Sequence, residues 1–122
     1  MVKSLDKWQF GDFQTPDELA KQATRLLREK FCVDPDLVIE PTCGKGAFLR
    51  ASLNEFSRAK ILGFDINEKY VAEAKQSLAE YLNSENVTLN SEDFFKMNWE
   101  SFLSHFEGHI LVIGNPPWVT SS

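Results

Sequence analysis

The feature that most constrains the fold of this chain is a regular alternation of short apolar runs with amphipathic segments. The apolar runs lie at residues 36–40, 60–65 and 110–114, and residues 86–95 predict a further strand that ends near Asp93. Parallel strands that are covered by helices on both faces give nearly continuous apolar runs of this kind. The predicted fold is therefore an α/β fold with about four parallel strands and flanking helices. A chain of 122 residues is long enough for one domain with a single core.

The helices are predicted at residues 16–30, 47–57, 67–83 and 98–106. The first opens with the sequence TPDE, in which Thr15 is the predicted N-cap and Glu18 completes a capping box. Its predicted buried face consists of four apolar residues at helical spacing, Leu19, Ala23, Leu26 and Leu27.

Unusual residues follow each predicted strand. They are residues 40–46, Asp65, Asp93 with Phe94, and residues 115–118. In an open parallel sheet, ligands bind in the crevice at the carboxyl ends of the strands. The sequence therefore predicts one ligand site built from all four strand ends.

The loop after the first strand contains Gly44 and Gly46, which permit a tight turn and a close approach of a ligand to the backbone. The loop lacks the residues of a P-loop, and as a dinucleotide fingerprint it is incomplete. A plain connection between a strand and a helix is the alternative reading. Lys45 is the one basic residue near the loop, so a ligand without phosphates is favoured.

Two acidic residues extend this site. Asp65 follows the glycine loop at about the distance at which a carboxylate meets ribose hydroxyls, although it is also placed to cap the helix that begins near Asn67. Asp93 is suited to accept a hydrogen bond from the amine of an adenine, with Phe94 against the ring, although it also fits an ordinary turn. Together they predict a site for a cationic, phosphate-free adenosine ligand such as S-adenosylmethionine.

The last apolar run is followed by Asn115, Pro116, Pro117 and Trp118. A base amine becomes nucleophilic when acceptors hold its hydrogens out of the plane of the ring. The side-chain oxygen of Asn115 and the carbonyl of Pro116 are such acceptors, because prolines keep the loop out of a helix. Trp118 offers a face on which a flipped base can stack, which is worth about 1–3 kcal/mol. A rigid loop with a buried tryptophan is the alternative.

Composition narrows the classes of function. A net charge of −5 argues against binding of a nucleic-acid backbone by this segment alone. It is compatible with a nucleic-acid enzyme that binds the backbone through a basic region elsewhere. No run approaches a membrane span. Cys32 and Cys43 fit neither a disulfide framework nor a zinc site, so a reducing cytoplasm is predicted. His105 and His109 are separated by the helix-breaking Gly108, and no metal site is predicted.

Five motifs in this order resemble those of amino-group DNA methyltransferases, in the arrangement of the N6-adenine enzymes of bacterial restriction–modification systems. They are FQTP at 13–16, EPTCGKGAFL at 40–49, GFDIN at 63–67, EDFF at 92–95 and GNPPW at 114–118. The resemblance implies the Rossmann-like class I methyltransferase fold. It also implies S-adenosylmethionine as the cofactor and the N6 amine of adenine in DNA as the target.

The resemblance assigns roles to individual residues. Thr15 would touch the methionine end of the cofactor, Asp65 would hold the ribose, and Asp93 and Phe94 would hold the adenine. The remaining cofactor contacts would be Glu40, Thr42, Cys43, Gly44, Gly46 and Ile66. The target amine would meet Asn115 and the two prolines, with Trp118 as the stacking platform where the family more often has tyrosine or phenylalanine.

Members of that family continue with further strands and a target-recognition domain. Residues 1–122 are therefore expected to be the N-terminal part of a catalytic domain that contacts double-stranded DNA through its C-terminal part. The fourth strand, which would normally be flanked by a fifth, is a candidate for self-association.

Other activities stay open at this point. They are N4-cytosine, RNA or protein-glutamine methylation, and a non-catalytic module that binds S-adenosylmethionine. Methylation at C5 of cytosine is not predicted, because the chain has no Pro-Cys pair to supply the thiolate.

Overall fold

A computed structural model of the chain describes residues 14–81 and 83–116. The predictions for Pro117 and Trp118 lie outside these residues. Within the described part, four strands alternate with helices. The strands are β1 (Leu37–Glu40), β2 (Lys60–Phe64), β3 (Val87–Asn90) and β4 (Ile110–Val112). The helices are α1 (Asp17–Phe31), α2 (Ala47–Glu55), α3 (Glu68–Leu78) and α4 (Trp99–Leu103). Short 3-10 turns cover Ser84–Asn86 and Phe94–Lys96.

The strands form one parallel sheet with the order β3-β2-β1-β4. Val38 of β1 pairs with Ile61 of β2 on one side and with Leu111 of β4 on the other. The chain thus moves outward from β1 to β2 and β3, and then crosses back to place β4 on the other side of β1. This reversal creates the crevice at which α/β proteins bind ligands, and it confirms the predicted fold class.

Alternating side chains of the central strands enter two apolar layers. Val38 and Ile61 lie in the layer that contains residues of α2 and α3, whereas Ile39 and Phe64 lie in the layer that contains Trp99 of α4. Because β1 is covered on both faces, all four of its residues are buried. The sheet is therefore a central layer between helices, as continuous apolar strands predict.

The buried face of α1 differs in part from the prediction, since Ala23 and Leu27 pack against the core but the other two residues do not. Leu19 and Leu26 are 55% and 50% exposed, whereas Ala20 and Thr24 are fully buried. Small residues allow α1 to approach α2 closely, and the Thr24 hydroxyl is satisfied by donating to the Ala20 carbonyl at 3.0 Å. The spacing of leucines indicated a helix, but the size of the residues decided which face packs.

Two details near the site also differ from the prediction. The N-cap of α1 is Pro16, without a side-chain capping bond, so the predicted capping box of Thr15 and Glu18 is wrong. β3 ends at Asn90, and Asp93 instead caps the following 3-10 turn by accepting from the Phe95 N–H at 2.9 Å. No helix in the described residues is both long enough and apolar enough to cross a membrane.

Candidate functional site

A cavity of about 390 Å³ opens at the carboxyl ends of the strands. Ten of the predicted site residues line it, and these are Thr15, Glu40, Thr42, Cys43, Gly44, Asp65, Ile66, Asp93, Phe94 and Asn115. The topology therefore gathers residues from all four strand ends into one cavity, as the position of these residues after each strand predicts.

The loop from Thr42 to Gly46 follows β1, and each of its N–H groups has an acceptor inside the protein. Thr42 donates to Glu40 Oε1 at 3.1 Å, and Gly44 donates to Asp65 Oδ2 at 2.9 Å. The Lys45 N–H donates to Gln14 Oε1 at 3.0 Å. The Cys43 and Gly46 N–H groups donate to the carbonyls of Phe64 and Cys43. This loop consequently offers no unpaired N–H as a cradle for a diphosphate, unlike a P-loop.

The two loop glycines serve different purposes. Gly44 has φ 53°, and a Cβ at this position would collide with the side-chain oxygen of Gln14. Gly46 has φ 97° and is the N-cap of α2, where a Cβ would lie 3.3 Å from the Ala74 side chain. Gly46 is not among the residues that line the cavity, so its local role is to start α2 close to α3.

Glu40 ends β1 as a carboxyl group that is only 2% exposed. Burial, opposed by the hydrogen bond from the Thr42 N–H and assisted by the negative charge of Asp65, raises its pKa to about 8. A Cβ on Gly114, after β4, would collide with the Glu40 carboxylate. This close contact between two neighbouring strand ends brings Asn115 to the same cavity.

Cys43 and Thr42 line the cavity beside Glu40. Burial, followed by the charges of Glu40 and Asp65, raises the pKa of the Cys43 thiol to about 12, so this sulfur is a thiol and not a thiolate at neutral pH. The Thr42 hydroxyl is buried and has no hydrogen-bond partner among the described residues. An unpaired buried hydroxyl at a cavity wall is suited to a polar ligand group.

Asp65 follows β2 and bridges two backbone segments. Its Oδ2 accepts from the Gly44 N–H, and its Oδ1 accepts from the Asn67 N–H at 2.8 Å. The cap of α3 is Asn67, whose side chain accepts from the Lys69 and Tyr70 N–H groups. Asp65 therefore fixes the glycine loop to the start of α3, and its carboxylate retains further lone pairs for two hydroxyls.

Beyond β3, aromatic packing positions Asp93 and Phe94 at the cavity wall. The ring of Trp99 lies 4.8 Å from Phe94 and 5.4 Å from Phe64, and its Nε1 donates to the Phe94 carbonyl at 2.8 Å. Phe95 also lines the cavity and is 78% exposed. This wall presents an acceptor together with apolar rings, a combination that suits a purine.

The structure places the remaining predicted residues as follows. Thr15, just before α1, and Asn115, just after β4, are half-buried and line the cavity. Pro116 is exposed and is not among the lining residues. The described part of the chain therefore brings the asparagine of the Asn-Pro-Pro segment to the cavity that contains Asp65 and Asp93.

The charge of the cavity wall restricts its ligands. Four carboxyl groups line it, those of Glu40, Asp65, Glu92 and Asp93, and among the described residues no Lys, Arg or His does. The ionised members of this set would repel an anionic ligand and attract a cationic one.

Sequence reasoning missed several lining residues, namely Gln14, Pro41, Ala47, Phe48, Asn67, Tyr70, Glu92 and Phe95. Most of them are neighbours of predicted residues, and their proximity in the sequence was the available signal. Tyr70 lies on α3 and Gln14 before α1, and nothing in their spacing indicates a wall position. Only the fold reveals that both reach the glycine loop.

Comparisons with known proteins place this fold in a family. Residues 34–107 match the family model described as "Methyltransferase domain". The type II methyltransferase M.NspV of Nostoc sp. (strain ATCC 29411 / PCC 7524) is 43% identical over 125 aligned residues, which cover 100% of this chain and 26% of that protein. The type II methyltransferase M.AccI of Acinetobacter calcoaceticus is 29% identical over 110 residues, 89% of this chain and 18% of that protein. The chain thus spans about a quarter or less of these curated relatives.

Solved structures agree at the level of the fold. An RNA methyltransferase from Salinibacter ruber in complex with S-adenosyl-L-homocysteine aligns with a TM-score of 0.55 and 23% identity, over 70% of this chain and 54% of that chain. The family match and these folds agree with the predicted cofactor class, S-adenosylmethionine. With its parallel sheet, its cavity at the strand ends and a family model that covers most of its length, the chain belongs to the methyltransferase domain family.

Proposed function

We propose that the cavity binds S-adenosylmethionine. The observation that carries this proposal is its wall, which combines four carboxyl groups with a glycine loop whose N–H groups are all engaged. NAD and ATP bring phosphates, for which the loop has no free donors and the wall has no cation among its described residues. S-adenosylmethionine brings a sulfonium and an ammonium group, and its net charge is positive.

The polar groups of the cavity suit each part of this cofactor. Asp65 would accept from the ribose hydroxyls, and Asp93 would accept from the adenine amine beside Phe94. The unpaired Thr42 hydroxyl and the half-buried Thr15 both line the cavity, and they would hold the methionine moiety.

We propose that the whole protein transfers the methyl group of this cofactor to the N6 amine of adenine in DNA, as part of a restriction–modification system. The type II methyltransferase names of the curated relatives and the Asn-Pro-Pro segment support this activity. The bound cofactor would supply an electrophilic methyl group. Asn115 and the carbonyl of Pro116 would orient the amine, and Trp118 would stack on the flipped base.

N4-cytosine methylation uses the same amine chemistry and is the second candidate. Digestion of duplex DNA to nucleosides after reaction with a radiolabelled cofactor separates the two. When the chain is expressed within its complete reading frame, we expect the label in N6-methyladenine. Label in N4-methylcytosine alone would contradict this and would support N4-cytosine methylation instead. RNA and protein-glutamine methylation predict label in other substrates, and a non-catalytic module predicts cofactor binding with no transfer.

The extent and partners of the chain are part of the same proposal. Residues 1–122 would form the N-terminal part of the catalytic domain, and double-stranded DNA would be held by a later part.

Among the described residues β4 pairs with β1 alone, and its Val112 is 58% exposed. We therefore expect self-association through this strand. Sedimentation velocity should show it to weaken in Val112→Lys, and a wild-type chain that stays monomeric at high concentration would contradict it.

A further inference from the structure

Gln14 contacts the glycine loop from outside it. The residue lies three positions before α1, yet its Oε1 accepts the Lys45 N–H, 31 residues away, at 3.0 Å. The same oxygen is the nearest atom to a Cβ built on Gly44. The Gln14 carboxamide is therefore packed directly against the Gly44–Lys45 turn.

That turn belongs to a glycine-rich loop that leads into a helix, a setting in which backbone N–H groups bind anions in other proteins. Gly44 has φ 53° and Gly46 has φ 97°. Here two consecutive donors are bound within the protein, the Gly44 N–H by Asp65 and the Lys45 N–H by Gln14. Neither N–H is therefore available to a phosphate.

The nature of the two acceptors matters for the charge of the site. Gln14 is neutral, so it satisfies the Lys45 N–H without adding to the four carboxyl groups of the wall. The Lys45 side chain lies nearby, with its Nζ 3.9 Å from Glu73 and 5.8 Å from the centre of the Tyr70 ring. If the Lys45 N–H were vacated, a phosphate would find a backbone donor beside an exposed cation.

We propose that Gln14 is a positioning and specificity-determining residue of the cofactor site, whose side-chain oxygen holds the Gly44–Lys45 turn and denies the Lys45 N–H to phosphate-bearing adenine nucleotides. This inference rests on the proposed cofactor. It adds to that proposal a residue that discriminates adenosine ligands with and without phosphates.

The test compares three variants with the wild-type chain. Gln14→Met removes the acceptor at similar length, Gln14→Glu keeps an acceptor, and Gln76→Met makes the same change as the first at an exposed position of α3. Hydrogen exchange of the Lys45 amide is measured by NMR without ligand. Calorimetry with S-adenosylhomocysteine and with ADP then gives the ratio of the two affinities.

In Gln14→Met we expect Lys45 exchange to accelerate about fivefold, the effect of one lost neutral hydrogen bond, and the affinity ratio to fall toward ADP about tenfold, the effect of one hydrogen bond to a charged phosphate. Gln14→Glu should retain Lys45 protection and a ratio no lower than that of the wild type, and Gln76→Met should change neither quantity. Unchanged protection and an unchanged ratio in Gln14→Met would overturn the inference. A wild-type chain that fails to bind S-adenosylhomocysteine overturns the proposed cofactor instead, and the Lys45 exchange rates still decide whether Gln14 positions the turn.

Discussion

Glu40 combines a position at the end of a central strand with almost complete burial and no cationic partner among the described residues. Its pKa of about 8, against an ordinary value of 4.5, means that the folded protein holds this proton while the unfolded chain releases it. The contribution to stability is therefore fully present below about pH 4.5 and is lost as the pH rises to about 8.

Denaturant unfolding at several pH values tests this linkage. We expect the free energy of unfolding to fall by a few kcal/mol at most between about pH 5 and 8. Glu40→Gln, which cannot titrate, should flatten this dependence. The pKa of Asp36 is lowered by the His109 N–H and by Arg58. Its contribution to the free energy of unfolding is therefore lost as the pH falls, and this loss occurs at a lower pH than the titration of Glu40. Identical pH profiles for the wild type and Glu40→Gln would contradict the assignment.

The ionisation of Glu40 should also couple to the charge of the ligand. A sulfonium cation near this carboxyl group favours its ionised form, so S-adenosylmethionine should gain affinity relative to S-adenosylhomocysteine, which lacks the sulfonium, as the pH rises toward about 8. Calorimetry with both ligands measures that ratio. In Glu40→Gln the ratio should be independent of pH, and a ratio that is equally flat in the wild type would place the sulfonium away from Glu40.

Cys43 and Cys32 differ in their exposure. Cys43 is buried and its pKa is raised to about 12, whereas Cys32 is exposed at the end of α1. Only thiolates react rapidly with alkylating reagents. Iodoacetamide at neutral pH should label Cys32 and spare Cys43, as read by peptide mass spectrometry. Equal labelling of both residues would show that the loop opens in solution.

At the scale of elements, Asn67 links α3 to the site because its side chain caps the helix while its N–H binds Asp65. Asn67→Ala should lower the free energy of unfolding by about 1 kcal/mol, whereas Asn67→Asp should keep most of the capping energy. Thermal unfolding of the two variants provides the comparison. An equal loss of stability in the two variants would contradict the assignment, because it would mean that the side-chain oxygen of Asn67 is not what stabilises the start of α3.

The elements themselves were largely predictable from the sequence. Continuous apolar runs predicted the ends of β1, β2 and β4 to within about two residues, because central parallel strands are buried on both faces. The face of α1 was only partly predictable from hydrophobicity: Ala23 and Leu27 do pack against the core, but the contact with α2 depends on small residues such as Ala20. The end of β3 was placed too late, because Asp93 lies in a separate turn that starts after the strand.

The site residues that come at or soon after the end of a strand were predictable from the sequence. Glu40, Asp65, Asp93 and Asn115 come together because parallel strands end at one edge of the sheet. The support provided by Trp99 could not be predicted, since it depends on how α4 folds back over β2.

For the molecule as a whole, the net charge of −5 predicts weak contact with nucleic acid. We expect the 122-residue chain alone to show no binding to labelled duplex DNA at about 10 μM protein and physiological salt, and little or no methylation of it. Fluorescence anisotropy and transfer of a radiolabelled methyl group measure the two quantities. Salt-dependent binding and robust turnover by this chain would contradict the proposal that later parts of the protein hold the DNA.

Calorimetry with S-adenosylhomocysteine decides whether the ends of the four strands form one cavity for S-adenosylmethionine. The wild-type chain should bind with one site. Asp65→Asn should weaken binding at least about tenfold, because Asp65 joins the glycine loop to the ribose position, and Glu107→Gln at an exposed loop should leave it unchanged. Absence of binding to the wild-type chain, or equal binding by Asp65→Asn, would contradict the account.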